Sequence, residues 1–333
     1  MADAMHTMHS EREQLSESAS SRSEDPAASP GLFGPLSACG ILIIYTLVYV
    51  LPLYGSTATR PSPTLSRDDP AVIRARIRSV RSSTTVCLLS TFLILLYFGQ
   101  GTIWAHLHAM GFWPVGFRET LATLTLTGTL FAGPLYETLF IDGWWRDMIS
   151  TQAWRQTWTS LITWRNIVVG PVTEELLFRS AAVPLFLLAR LSMVKTIFLT
   201  PVIFGLAHIH HFYEFRITHP RVPLAAAVAR SVMQFTYTTL FGAYATYLFI
   251  RTGSLLAAVA AHAFCNAMGL PRVWGRVEPY WLSHLSSDIH QKACLKWTVI
   301  YYIILVLGAW GWWQGLEPLT SSDMALFNVT FRA

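Results

Sequence analysis

Charged side chains are scarce in this chain. Asp, Glu, Lys and Arg make up 13% of its 333 residues, whereas hydrophobic residues make up 53%, and the mean hydropathy is +0.41. Soluble domains carry about a quarter charged residues, so this balance argues against a soluble protein and predicts a polytopic membrane protein. The net charge of +5 is modest. Its basic residues cluster between hydrophobic segments, which fits membrane topology rather than nucleic-acid binding.

Cysteine is also rare, and its four positions are scattered: Cys39, Cys87, Cys265 and Cys294. None of them forms a CxxC pair, so the spacing indicates neither a zinc site nor a disulfide framework. Cys265 lies within a polar stretch of the sequence. We interpret it as a small packing residue, with a catalytic thiol as the alternative.

Large apolar side chains are nearly absent from the first 30 residues, which are rich in Ser, Glu, Asp and Ala. We therefore expect residues 1–35 to form a disordered polar tail. A cleavable signal peptide is not expected there, because the first apolar run starts only near Leu36. Residues 36–316 are predicted to form a membrane domain, and residues 317–333 a short C-terminal tail.

Apolar segments long enough to cross a bilayer recur along the rest of the chain. A spanning helix needs about 20 mostly apolar residues, so the sequence predicts an all-α fold of about eight transmembrane helices that enclose a cavity. The predicted spans are residues 36–54, 84–103, 119–141, 166–190, 196–211, 224–250, 253–270 and 297–315. The fifth is short and has Pro201 near its start, so we expect it to be tilted, broken or only partly spanning.

Three short polar segments interrupt these apolar stretches. They are Glu174–Arg179, Phe204–His208 and His262–Asn266. Ionisable and amide side chains at membrane depth are costly, so they tend to occur where they face one another or a wet cavity. Two carboxylates, an arginine, two histidines and an asparagine on three spans are more typical of a site than of packing. The combination indicates a hydrolase.

The first polar segment allows two interpretations. Glu175 and Arg179 are four residues apart and can pair on one helix face, whereas Glu174 points about 100° away from Glu175. In one interpretation Glu174 is a general base, and Arg179 organises it or binds an anion. In the other, Glu175 and Arg179 form a buried structural pair and Glu174 is an incidental neighbour.

Each of the other two polar segments also allows two interpretations. His208 can complete an acid/base pair with Glu174, but the residues alone do not separate it from the two histidines that follow, and a satisfied core histidine is the alternative. His262 and Asn266 lie one helical turn apart, and both can donate hydrogen bonds to a developing oxyanion. A polar clasp between helices is the other interpretation.

Lys and Arg residues are unevenly divided between the two sides of the predicted spans. The segments after the first, third, fifth and seventh spans hold fifteen of them, and the opposite side with both tails holds seven. The cytosolic side of a membrane protein carries the excess of basic residues, so both termini are predicted to lie outside the cytosol. The three polar segments then converge on the cytosolic half of the membrane.

The order EExxxR, FxxxH and HxxxN, each on a predicted membrane helix, resembles the type II CAAX prenyl endopeptidases, within the wider family of CAAX proteases and bacteriocin-processing enzymes. The stretches PVTEELLFR, FGLAHIHHFYE and HAFCNAMGLP are similar to the eukaryotic, Ras-converting members, as is RDDPAVIRARIRSV in the first basic loop. The resemblance covers residues 36–310 and is densest from Asn166 to Pro271.

The resemblance implies an enzyme of the endoplasmic reticulum membrane, open to the cytosol. It would remove the last three residues of farnesylated or geranylgeranylated CAAX proteins such as Ras-like small GTPases. By motif position, Glu174 and His208 would activate the attacking water, and His262 and Asn266 would stabilise the oxyanion. The positions with supporting roles are Glu175, Arg179 and Phe204. The implied partners are prenylated proteins and membrane lipid, with no nucleic acid and no metal or other cofactor.

Three other functions use the same residues. Glu174, His208 and His262 match the His₂Glu ligand set of zinc peptidases, although the sequence has no HExxH helix. A proton-coupled transporter is a second alternative, but the chain lacks the matching halves that carriers commonly show. The third is an inactive scaffold that holds prenylated clients.

Overall fold

The computed structural model describes residues 33–62, 66–282 and 287–328, and within these ranges the chain is all-α with no β-strand. Its N-terminal half contains helices α1 (Pro35–Val50), α2 (Pro52–Gly55), α3 (Pro70–Phe98), α4 (Ile103–Ala109), α5 (Phe117–Leu130), α6 (Ala132–Tyr136), α7 (Trp145–Met148), α8 (Thr151–Thr159) and α9 (Leu161–Thr163). A π-helical turn, Glu137–Ile141, continues α6. Most of the predicted N-terminal tail, residues 1–32, lies outside the described residues.

The C-terminal half contains α10 (Gly170–Glu175), α11 (Ala182–Leu188), α12 (Met193–Ala207), α13 (His210–Thr218), α14 (Leu224–Thr252), α15 (Leu255–Met268) and α16 (Ser287–Gly315). π-Helical turns Trp164–Val169 and Leu176–Ala181 flank α10. Short 3₁₀ turns form at Tyr280–Leu282 and Leu326–Asn328.

Four helical segments of the described chain are long and apolar enough to cross a membrane: Pro35–Gly55, Pro70–Phe98, Met193–Thr218 and Lys292–Gly315. They correspond to the first, second, fifth and eighth predicted spans. The remaining predicted spans are helical too, but they are shorter, more polar or interrupted by π turns. Large apolar side chains such as Leu93 and Trp310 point outward, as expected of surfaces that face lipid. The predicted polytopic all-α membrane fold is therefore confirmed.

Helix α3 begins earlier than the sequence predicts. The predicted span was 84–103, whereas the helix runs from Pro70 to Phe98. Asp69 caps its first turn by accepting a hydrogen bond from the Ala71 N–H, and Pro70 occupies the first helical position, a combination that favours helix initiation. The first basic stretch is thus mostly helical rather than a loop, which places several arginines on a rigid element.

The fourth predicted span, 166–190, forms one nearly continuous helical segment through the centre of the molecule, which we call the central passage. The π turns before and after α10 insert extra backbone into this passage, and such turns frequently mark functional sites. Behind the passage, Thr91 of α3 donates a hydrogen bond to the Ala181 carbonyl at 2.9 Å. Leu177, Phe178 and Phe186 are buried in the main hydrophobic core. The glutamates of α10 are therefore held on a well-packed helix.

The fifth predicted span is broken, but not at its proline. Pro201 lies inside α12, and the helix continues through it to Ala207. The break follows at His208 and Ile209, before α13 starts at His210. Helix α12 packs closely on α14, where a Cβ added at Gly242 would lie 2.9 Å from the Pro201 Cβ. His208 consequently ends a helix whose position is fixed by its neighbour.

The described part of the C-terminal segment, residues 317–328, packs back on the helices. The Tyr247 hydroxyl of α14 donates to the Leu316 carbonyl at 3.1 Å, and the Ser322 hydroxyl contacts Glu119 of α5 at 3.0 Å. Leu326 is buried against α14 and α15. This segment therefore closes one end of the helix bundle.

Candidate active site

A cavity of about 670 Å³ opens between the central passage and helices α12, α14 and α15. The sequence-predicted residues on its wall are Glu174, Phe204, His208, His262 and Asn266. We call it the site cavity. It brings residues from all three polar segments together, although they lie up to 92 positions apart in the sequence. The other two predicted residues, Glu175 and Arg179, lie directly behind this wall.

Glu175 and Arg179 form a fully buried ion pair. The Arg179 Nη1 donates to Glu175 Oε1 at 3.0 Å, and the side chains are 1% and 0% exposed. The Arg179 Nη2 donates to the Gly242 carbonyl at 3.1 Å. Its guanidinium carbon lies 4.9 Å from the centre of the Phe204 ring, a cation–π distance. The predicted i, i+4 pair is confirmed, and its burial leaves no surface of Arg179 on the cavity wall.

Glu175 also holds His262. The His262 Nδ1 lies 2.6 Å from Glu175 Oε1, the same oxygen that accepts from Arg179. An ionised carboxylate only accepts hydrogen bonds, so Nδ1 carries the proton in this contact. The opposite ring nitrogen, Nε2, lies 3.9 Å from Glu174 Oε2 on the cavity wall. Glu175 thereby orients the imidazole so that Nε2 points toward the cavity and Glu174.

His208 is oriented by the backbone of its own helix. Its Nδ1 lies 2.8 Å from the Phe204 carbonyl, and a carbonyl can only accept, so Nδ1 carries a proton. In the neutral imidazole the second nitrogen, Nε2, is then an acceptor. The Phe204 ring packs against the His208 ring with centres 4.8 Å apart. Phe204 therefore supports both Arg179 and His208.

Of the three neighbouring histidines that the sequence left indistinguishable, the structure places two on the wall of the site cavity. His208 lines the site cavity, whereas His210 does not, and the His210 Nδ1 lies 2.6 Å from the Ala207 carbonyl. His211 also reaches the cavity wall. Its Nδ1 lies 3.2 Å from the Glu214 carboxylate.

Asn266 lies one turn after His262 on α15, and both line the cavity as the i, i+4 spacing predicts. The Asn266 Nδ2 donates one hydrogen bond to the Asn166 carbonyl, at 2.9 Å, in the π turn before α10. A carboxamide nitrogen has two N–H groups. The second remains available to a ligand in the cavity.

Gln234, Tyr237 and Thr238 of α14 also line the cavity, although the sequence analysis did not single them out. Their i, i+3, i+4 spacing places them on one helix face, and this spacing was the signal that could have found them. Among the described residues, the buried Gln234 Oε1 has no hydrogen-bond partner. It is free to accept from a bound peptide.

The structure also shows where the candidate zinc ligands and the candidate nucleophile Cys265 lie. Across the described ranges no group of three His, Cys, Asp or Glu side chains is arranged to hold a metal ion. Cys265 lines the cavity, but within those ranges its thiol has no hydrogen bond to an imidazole or carboxylate. A nucleophilic thiol needs an activating base, so this geometry favours the interpretation of Cys265 as a wall residue.

The fold and the site define a class: a polytopic α-helical membrane protein whose helices enclose carboxylate, imidazole and carboxamide groups around one cavity. A family model described as type II CAAX prenyl endopeptidase Rce1-like matches residues 156–268. This range contains all three polar segments.

Curated relatives extend the match beyond that range. The probable CAAX prenyl protease 2 of Schizosaccharomyces pombe is 40% identical over 80% of this chain and 88% of its own length. The CAAX prenyl protease 2 of Homo sapiens is 35% identical over 79% of this chain and 81% of its own, and that of Arabidopsis thaliana is 33% identical over 70% and 80%. The chain belongs to the Rce1-like family of type II CAAX prenyl endopeptidases. No solved structure matches it significantly.

Proposed function

We propose that this protein is an intramembrane endopeptidase that removes the C-terminal tripeptide from farnesylated or geranylgeranylated CAAX proteins. The observation that carries the proposal is the arrangement of Glu174, His208, His262 and Asn266 on the wall of one cavity inside a membrane protein. The relatives are named CAAX prenyl proteases, which supports the same activity.

The proposed reaction uses an activated water. Glu174, with the His208 Nε2 as a second acceptor, takes a proton from water, and the resulting hydroxide attacks the carbonyl of the scissile peptide bond. His262, when both ring nitrogens are protonated, and the free N–H of Asn266 donate to the oxyanion. Collapse of the tetrahedral intermediate breaks the C–N bond, and the proton taken from water passes to the leaving amine.

The shape and lining of the cavity support a prenylated substrate. Apolar side chains form much of its wall: Leu130, Phe131, Leu240, Phe241, Leu270 and Trp312. Its volume of about 670 Å³ is within the usual range of ligand sites. Transfer of an alkyl chain out of water contributes about 0.8 kcal/mol per CH₂. A prenyl group on these apolar residues would hold the adjacent peptide near Glu174.

We further propose that the protein acts in the endoplasmic reticulum membrane, that its site opens to the cytosol, and that Ras-like small GTPases are among its clients. The excess of basic residues on one side of the predicted spans supports this orientation. A lipidated C-terminus made in the cytosol would then reach the cavity from the inner leaflet.

The test is a peptidase assay on membranes that contain the protein. A farnesylated CAAX peptide is incubated with wild type, with Glu174→Gln and with Glu317→Gln, a matched change at an exposed glutamate. We expect tripeptide release by wild type and by Glu317→Gln, and a loss of at least about 100-fold with Glu174→Gln, the usual scale of general base catalysis. No release by wild type, or undiminished release by Glu174→Gln, would refute the proposal.

The same assay separates the metal-free mechanism from the zinc alternative. Purified protein is treated exhaustively with a chelator, its metal content is measured, and its activity is compared with untreated protein. We propose metal-free catalysis and therefore expect full activity without stoichiometric metal. Activity that disappears with the metal and returns with added Zn²⁺ would establish the zinc peptidase instead.

A further inference from the structure

A second cavity, of about 370 Å³, adjoins the site cavity. The two share three wall residues: Glu174, His211 and Asn266. Unlike the site cavity, it is lined by three arginines, Arg67, Arg76 and Arg165; we therefore call it the arginine cavity. A ligand that crosses the shared wall would have one part among apolar side chains and the other among guanidinium groups.

Two of the arginines are fixed by short contacts. The Arg76 Nη2 donates to Glu214 Oε1 at 2.7 Å, and its Nε donates to the Thr59 carbonyl at 2.9 Å. The Arg165 Nη1 donates to Asp68 Oδ1 at 2.7 Å. These contacts hold the cavity in shape, because Arg76 joins α3 to α13 and to Thr59, and Arg165 joins the π turn before α10 to the segment before α3.

Arg67 is the least engaged of the three. Its ion pair among the described residues is with Glu214 at 3.6 Å, which is beyond hydrogen-bond distance, and its side chain is 42% exposed. Partial burial lowers the pKa of its guanidinium, and Glu214 opposes that shift, but an arginine remains charged at neutral pH. Its N–H groups are therefore available to an anion that enters the cavity.

The charges around the cavity leave a place for one anion. Three guanidinium groups face two carboxylates, those of Glu214 and Asp68, so one positive charge is not balanced locally. Neither of these two carboxylates lines the cavity; the only carboxylate on its wall, among the described residues, is Glu174, which lies on the side shared with the site cavity. A guanidinium binds a carboxylate through two parallel hydrogen bonds.

We propose that the arginine cavity binds the C-terminal carboxylate of the substrate, and that Arg67 is its principal ligand. This inference rests on the proposed function, because that reaction releases a tripeptide ending in a free carboxylate. Three extended residues span at most about 10 Å. A substrate with its scissile bond at the wall shared by Glu174 and Asn266 would place that carboxylate among the arginines. The two cavities would then select a prenyl group on one side and a free C-terminus three residues away on the other.

The experiment compares two farnesylated peptides that differ only at the C-terminus, one a free acid and the other a carboxamide. We expect wild type to cleave the acid with a kcat/KM about 10- to 100-fold higher, as for loss of a charge-assisted hydrogen bond. With Arg67→Gln this acid-to-amide ratio should fall close to one. Arg67→Lys should keep an intermediate ratio, because lysine retains the charge without the bidentate geometry. The matched control is Arg78→Gln, an exposed arginine of α3 outside the cavity, which should keep the wild-type ratio.

Three other results of this assay would contradict the carboxylate subsite, and each has a different cause. If wild type cleaves both peptides equally, the carboxylate subsite is wrong and the proposed function stands. If Arg67→Gln reduces cleavage of acid and amide by the same factor, Arg67 binds another anion such as a lipid phosphate or supports the fold, and the inference is overturned. If wild type cleaves neither peptide, the proposed function fails and the subsite fails with it.

Discussion

Replacing the buried Glu175–Arg179 pair by apolar residues would separate structural support from catalysis. Both side chains are essentially inaccessible, at 0% and 1% exposure, and one oxygen of Glu175 accepts from both Arg179 and His262. Arg179→Met alone leaves a buried carboxylate without its cation. Breaking a buried pair in this way costs about 3–5 kcal/mol, which corresponds to a fall in apparent Tm of roughly 5–15 °C.

The double variant Glu175→Leu with Arg179→Met removes both charges. Replacement of a buried ion pair by packed apolar residues is often neutral or stabilising, so most of the lost stability should return. Activity should not return, because the His262 Nδ1 loses its acceptor and the ring is no longer held toward Glu174. A misplaced catalytic group costs on the order of 100-fold in rate, and we expect a kcat reduced at least that much.

The assay is thermal unfolding of the detergent-solubilised protein, followed by tripeptide release from a farnesylated peptide. Arg118→Met, at an exposed arginine at the start of α5, controls for the loss of a positive charge and should change neither measurement. Full activity in the double variant would refute the positioning of His262 by Glu175. A double variant as unstable as Arg179→Met would refute the account of its instability as an unpaired buried charge.

Three other changes test separate parts of the molecule. Asn266→Ala should lower kcat by about 10²–10³-fold, the usual effect of removing an oxyanion donor, and a change in KM alone would contradict that role. Gly242→Val should destabilise the protein by about 1–3 kcal/mol in thermal unfolding through overpacking, since a Cβ there meets Pro201 at 2.9 Å; an unchanged Tm would show that α12 can move away. Phe131→Ala should raise KM more for a geranylgeranylated than for a farnesylated peptide if the longer chain reaches this wall, and equal changes would place the chain end elsewhere.

Sequence reasoning found the three polar segments because the physical signal there is local. Ionisable residues in apolar helices stand out, and helical spacing predicts which of them share a face. The Glu175–Arg179 pair and the shared face of His262 and Asn266 depend only on an i, i+4 relation, and both are present in the structure. Glu174, directed away from Glu175, correspondingly lines the cavity.

What the sequence could not predict depends on how distant helices pack. The contact between Glu175 and His262 joins residues 87 positions apart, and no spacing rule indicates it. Helix α12 continues through Pro201 and ends at His208, where the sequence has no helix-breaking residue. The arginine cavity was hidden for the same reason, because Arg165 meets Arg67 and Arg76 from a part of the sequence almost 90 positions away. Asp69 and Pro70 indicate the early start of α3. The prediction missed it because spans were chosen by hydropathy, and the first turns of this helix are basic.

The burial of Glu175 is best explained by its two simultaneous contacts. A carboxylate in an apolar helix is costly, and an ion pair with Arg179 would at best offset that cost, since apolar residues often pack there as stably. The same oxygen also orients His262, whose Nε2 lies 3.9 Å from Glu174. A fixed carboxylate keeps a proton on Nδ1 and holds the imidazole in one orientation, which apolar packing cannot do. Arg179 in turn holds that carboxylate in place through its hydrogen bond at 3.0 Å, so the buried pair belongs to the site even though neither residue reaches the cavity.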